Sequence, residues 1–329
     1  MSWWDSFVKW LESLLGRQPE PPAPPPQGEL EPMHRRVLLL IFNPTIPSHG
    51  GRKLIDVLNW NDPDRLANDY AADLRDASGG LADFQIVDRI EVDGWPVKVD
   101  GFSYSPSSYL QCWANGGGWH EPDQASYSRI IADFNLLDRV AAGEIDEVWM
   151  FGSPSAGFWE SSMAGPGAFW CNSEPVLNTG AAGRRFILMG FNFERGVGEM
   201  LEDFCHRVEA HMEYVWRHTS GKQNLWRQFI LYDKVAPGRA NCGNVHFAPN
   251  SAKDYDWGNP RYVPSNCDDW LTFPDFKGVV KQVNSAEWGG GEIRAHHLWW
   301  LRHLPRVAGQ TNGISNNWWA YAIDPNTVS

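Results

Sequence analysis

Val37 to Phe42 reads Val-Leu-Leu-Leu-Ile-Phe with no polar interruption. An unbroken apolar run of strand length is how a strand covered on both faces reads. Phe84 to Val92 alternates well enough to form a second strand, and Asp146 to Gly152 and Arg185 to Gly190 supply a third and a fourth. Between them the apolar period changes to steps of three and four. Asp62 caps a helix that runs to Ser78, with Pro63 in its first position and Gly79-Gly80 as its stop. Pro122 to Ala142 carries Ile130, Ile131, Phe134, Leu137 and Val140 and ends at Gly143, and Gly196 to His218 is the longest helical stretch. Strands alternating with helices predict an α/β fold, a mostly parallel sheet with helices on both faces.

Past residue 237 the pattern dissolves. Pro, Gly, Asn, Asp and aromatics dominate to Pro274, followed by a short strand in Lys277 to Val283 and a helix from Glu292 to Leu304. The expected organisation is an α/β core over residues 33–236 and a loop-rich, Trp-rich C-terminal cap over 237–329, packed on that core.

The amino-terminal end has a pattern of its own. Trp3, Trp4, Phe7, Val8, Trp10, Leu11, Leu14 and Leu15 fall on adjacent helical stripes, with Asp5, Ser6, Lys9, Glu12 and Ser13 opposite. From Gln18 to Pro32 seven of fifteen residues are proline, which sets an extended spacer with a reach of roughly 45 Å. Residues 1–17 are therefore expected to be a detached amphipathic docking helix and 18–32 its linker. Trp3, Trp4, Phe7, Trp10, Leu11 and Leu14 would meet a protein partner or assembly. The helix is too short to span a bilayer, its charges cancel, and it lacks a basic start and a small-residue cleavage site. No later run has transmembrane length.

Net charge is −12 and the pI about 5.3, which argues against a nucleic-acid partner. The five cysteines are scattered without a CxxC pair, favouring a reducing, cytoplasmic setting. The 19 tryptophans change the picture more. Trp119, Trp257 and Trp288 sit among Gly, Asn and Asp, where flat aromatic faces beside amides and carboxylates suit a glycan ligand. With His246 and His296 they are the candidate substrate-binding residues.

In an open α/β sheet the functional crevice lies at the carboxyl ends of the strands. Gly152-Ser-Pro-Ser155 approaches a nucleophile elbow without its first glycine, and Cys171 with His246 would make a thiol–imidazole pair. After the fourth strand, Glu194 leads into the long helix, where Glu199, Glu202, His206, Glu209 and Glu213 form a stripe. His206 and Glu209 lie one turn apart, as shared metal ligation or proton transfer requires. Near the carboxyl terminus Glu287 stands between Asn284 and a tryptophan in a glycine-rich turn, as an acid/base residue beside a stacking platform would.

The leading expectation is a hydrolase acting on a carbohydrate-like or polyhydroxy substrate, with Glu194, His206, Glu209 and Glu287 as catalytic acids and bases. The second is a metal-dependent hydrolase in which His206, Glu209 and His246 hold a divalent ion and Glu194 or Glu202 is the base. The third is a non-catalytic glycan-binding or structural subunit, recruited to an assembly by residues 1–17.

Overall fold

The computed structural model describes residues 30–328. The docking helix expected over residues 1–17, with its six expected contact residues, lies outside them, as does the expected linker up to residue 29.

Five strands make the central sheet: β1 (Met33–Phe42), β2 (Ala82–Val92), β3 (Glu147–Gly152), β4 (Ser161–Ala164) and β5 (Phe186–Asn192), in the order β2-β1-β3-β5-β4. All pairs are parallel except β4 with β5. The expected α/β fold with a mostly parallel sheet is present. Val37, Leu39, Ile41, Trp149, Phe151 and Met189 point to one face, and Leu38, Leu40, Phe42, Val148, Met150 and Leu188 to the other. Each set is buried, so neither strand has a solvent side to be polar on.

Helices cover both faces. On one lie α1 (Pro63–Ala77) and α2 (Val197–Val215), with α3 (Ile293–Arg302) and α4 (Trp318–Ile323) beyond them. The Asp62 carboxylate caps α1 by accepting from the Asp64 and Arg65 amides. The opposite face is covered by two short helices, Tyr127–Asp133 and Leu136–Ala141, rather than the single helix expected over 122–142. The break is Asn135, which adopts a left-handed φ of 51°. Asparagine tolerates that conformation and so ends one helix and starts the next.

β4 is a strand that no apolar run or alternation in the sequence marks. Its two serines are buried and satisfied internally: Ser161 donates to the Cys171 carbonyl (3.1 Å) and Ser162 bonds Ser173 (2.7 Å). Residues on either side of position 237 share one apolar cluster, in which Trp300, Trp318 and Trp319 join Phe204, Trp216 and Trp226. All five cysteines are free. Among the described residues no helix is long and apolar enough to cross a membrane.

The chain continues from β1 to β2 on one side and returns to β3 on the other, which makes the β1/β3 carboxyl ends the usual ligand crevice. Here aromatics cover it. Trp95 donates from Nε1 to Ser153 Oγ (3.1 Å) and the Tyr109 hydroxyl donates to the Pro154 carbonyl (3.0 Å). The open space lies instead at the end of β5, where α2 begins.

Candidate functional site

α2 starts immediately after β5, so its first turns stand at the mouth of the sheet. Val197, Met200, Leu201, Phe204, Cys205, Val208 and Met212 bury one side of it. That packing fixes the rotation of the helix and directs Glu202, Asp203, His206 and Glu209 outward along the neighbouring stripe. Arg207, wholly buried, ties the helix to β3 through Glu147 (2.7 Å).

His246 approaches from the loop after residue 242. Its position is set by local bonds: Asn244 Oδ1 accepts from the His246 and Phe247 amides (3.1 and 2.9 Å). Gly243 needs its positive φ of 73°, and a Cβ there would run into the Phe247 carbonyl. Trp300 of α3 holds the same turn by donating to the Gly243 carbonyl (3.0 Å).

The two imidazoles meet with their Nε2 atoms 3.1 Å apart. Each outer nitrogen faces a carboxylate: His206 Nδ1 lies 3.2 Å from Glu209 Oε2, and His246 Nδ1 lies 3.1 Å from Asp254 Oδ1. Glu209 is itself fixed, its other oxygen accepting from the Val245 amide (3.1 Å). Carboxylates on both Nδ1 atoms favour the tautomer protonated there, which turns the two Nε2 lone pairs toward one another when both rings are neutral. At this distance the two nitrogens repel unless a proton or a metal ion sits between them. Glu202 Oε1 adds a third donor, 3.5 Å from His246 Nε2 and 4.0 Å from His206 Nε2. The Tyr255 hydroxyl lies 3.0 Å from His246 Nε2. Ligand nitrogens each about 2.1 Å from a tetrahedral ion would be about 3.4 Å apart, close to what is seen.

The surrounding carboxylates favour a cation at the pair, which in the ion-free protein is a proton. Burial works against protonation of His206, but the hydrogen bond and charge of Glu209, with Glu160 and Glu202, raise its pKa. The hydrogen bond to Glu202 raises His246 against burial and the His206 charge. Burial would raise Glu202, yet His246, His297, Tyr255 and His206 outweigh it and hold the carboxyl below its ordinary range.

Beside this cluster is a cavity of about 260 Å³ whose wall includes Glu160, Arg195, Glu199, Glu202, Asp203 and Tyr255. Burial, Glu160 and Glu202 together raise the pKa of Asp203 well above that of an ordinary aspartate. Glu160 is held by the Asn172 amide. On the outer side, His206 and Glu209 also line a hollow of about 470 Å³ with Trp170, Asn172, Glu213 and Tyr214.

Of the residues singled out in the sequence, His206, Glu209 and His246 come together. Glu209 supports the outer nitrogen of His206, and Glu202 occupies the inner carboxylate position. Glu194 lies beside Arg195 (3.6 Å), with burial raising its pKa. Glu287 lies elsewhere, paired to Lys281 (2.5 Å), which also holds Asp268 (2.8 Å). Cys267, Asp268 and His303 approach metal-binding spacing there, but the Lys281 ammonium already supplies the cation.

Trp257 and Trp288 are buried, the first stacked on buried His296 (4.9 Å) and the second donating to the Trp257 carbonyl (2.7 Å). Burial drives the His296 pKa far down and leaves the ring neutral. Trp119 packs in the Tyr104–Tyr109 aromatic cluster. Cys171 meets His211 (3.7 Å) rather than His246. Burial raises that thiol to about 11 and lowers His211 to about 3, so the pair stays neutral. Asp203, Glu160, Asp254 and Tyr255 complete the site without any motif in the sequence that marks them.

No protein-family model, no curated protein and no solved structure matches the chain.

Proposed function

We propose that the protein is a metal-dependent hydrolase in which Glu202, His206 and His246 hold a divalent ion. The observation that carries this reading is the 3.1 Å approach of two Nε2 atoms whose outer nitrogens are both held by carboxylates. Imidazoles oriented in this way by a carboxylate are the usual arrangement around a protein-bound metal. Two imidazoles and one carboxylate leave a coordination position open, as catalytic rather than structural sites do. A bound ion of this kind acidifies water and polarises the bond to be cut.

The chain's own groups complete the chemistry. Water adds through oxygen to the electrophilic centre, the bond to the leaving group breaks, and the proton released by water passes to Glu160. Asp203, whose neutral form is favoured by burial and by the Glu160 and Glu202 charges, gives a proton to the departing atom. Both residues face the cavity beside Glu202. Glu209 and Asp254 keep the imidazoles in the tautomer that presents Nε2.

The test is elemental analysis of the purified full-length protein, with a thermal shift on chelation and on adding back zinc, manganese or iron(II). One equivalent of ion, lost in His206→Ala and His246→Ala, supports the reading. Absence of any ion and of any shift at saturating metal would sink it. Turnover is then sought with 4-nitrophenyl esters, phosphates and glycosides, with and without the ion.

A further inference from the structure

Among the described residues only a few tryptophans face solvent, and two of them, Trp159 and Trp170, line one hollow. Trp159 is 46% exposed and Trp170 is 54% exposed. The hollow has a volume of about 490 Å³. Trp170 also lines the 470 Å³ hollow that reaches His206 and Glu209, so it stands between the two spaces. Burial of so large an apolar surface is normally favourable by a few kcal/mol, and the core takes most of the other indoles. Two indoles left open on one path to a cluster of ionisable groups therefore call for a ligand.

The polar lining says which kind. The first hollow offers Gln124, Ser128 and Asn178, and the second Glu213; Ser162 and Ser173 are bonded to each other and Asn172 to Glu160. Hydroxyls and amides both donate and accept, which matches sugar hydroxyls, themselves donors and acceptors. The indole faces match the C–H faces of a pyranose ring. Glu174, Glu209 and Glu213 outnumber Arg217 along the path, which disfavours a polyanion.

We propose that the hollows on either side of Trp170 form one cleft that binds a neutral oligosaccharide, with Trp159 and Trp170 as stacking platforms, and delivers it to the His206–His246 centre. The delivery step rests on the metal-hydrolase reading; the binding step does not. Together they name the substrate class as a neutral glycan chain.

The experiment is calorimetric titration of the full-length protein, before and after removal of metal by chelation, with cellohexaose, chitohexaose and maltohexaose. At least one is expected to bind in both states. Trp170→Ala and Trp159→Ala should each weaken binding roughly tenfold, the order expected for one aromatic platform, and Trp170→Phe should weaken it less. Trp113→Ala, a solvent-facing indole packed on Trp60 away from the cleft, should bind as the native protein does. Failure of all three glycans overturns the proposal, and so does unchanged affinity in both alanine variants. It is also overturned if a synthetic peptide of residues 18–32 binds with the same tryptophan dependence while the glycans do not. Glycan binding by a protein that takes up no ion even at saturating metal would sink the metal reading alone, and a bound ion without glycan binding would sink this proposal alone.

Discussion

Arg207 and Glu147 form an ion pair (2.7 Å) with no exposed surface on the guanidinium and almost none on the carboxylate. It links α2 to the central strand β3, one residue along from His206. Arg207 also donates to the Ile323 carbonyl of α4 (2.9 Å), and Glu147 accepts from Trp149 Nε1 (2.9 Å). Removing one partner leaves a buried, uncompensated charge, so Arg207→Met should destabilise the fold by about 3–5 kcal/mol. Arg207→Met with Glu147→Met should cost much less, since neither charge remains. Urea denaturation of the three proteins checks this, and equal losses in single and double variants would refute it.

Gly198 sets how closely α2 approaches α3. A Cβ built there would lie 2.5 Å from Ile293 Cγ2 and 3.0 Å from the Arg294 amide nitrogen. Alanine gains helix propensity but forces the helices apart. The expected result for Gly198→Ala is a net loss of about 1–3 kcal/mol, with weaker metal binding because α3 also braces the His246 turn. Parallel chemical denaturation and metal titration measure both effects.

Much of this architecture was written in the sequence. Three strands announced themselves because burial on both faces leaves few polar positions, the edge strand β2 by its alternation, and α1 and α2 because one buried stripe repeats at helical spacing. β4 stayed hidden since two of its four residues are serines, which are buried only because a loop supplies their partners. The helix Pro106–Asn115 buries only Tyr109, so no apolar stripe marks it. Glycines around Trp288 suggested exposure, yet they serve close approach: a Cβ on Gly291 would lie 2.6 Å from the Gly258 Cα. The His206–Glu209 pair was legible as one helix turn. His246, Asp254 and Tyr255 reach the site from a loop without periodicity, and only the folded chain places them.

Supporting and ligating groups should separate experimentally. Glu202→Gln, His206→Ala and His246→Ala each delete an inner donor and should abolish stoichiometric metal. Glu209→Gln keeps the shape but weakens the hold on His206 Nδ1, and affinity should fall about 10–100-fold. Competition with a chromogenic chelator reads the difference. Should Glu209→Gln lose the ion as fully as His206→Ala, Glu209 would be a ligand.

The two histidines also tie the site to pH. Both folded-state pKa values are raised, so in the ion-free protein the protonated pair adds stability below the unfolded value of about 6.5. That contribution disappears as pH rises through the raised values. A metal needs the opposite state, both Nε2 atoms free of protons. Affinity should therefore increase with pH across this window, and binding should release protons. Calorimetry in buffers of different ionisation enthalpy counts them. A pH-independent affinity between pH 6 and 8 would contradict the assignment.

Asp203 tests the proton-transfer step apart from ion binding. No hydrogen bond or ion pair holds its side chain among the described residues, and Glu160 and Glu202 discourage its ionisation. As a proton donor it is active while protonated, so turnover should fall as pH rises through its raised pKa. Asp203→Asn keeps the volume and removes the transferable proton. Rates with a 4-nitrophenyl substrate hydrolysed by the native protein should drop about 10²–10⁴-fold, while metal content and Tm stay near native. The alkaline limb of the pH–rate profile should vanish in this variant, an effect that a merely structural carboxyl would not produce. Native rates in Asp203→Asn would transfer the acid role to another group in the cavity, with Glu199 the next to substitute.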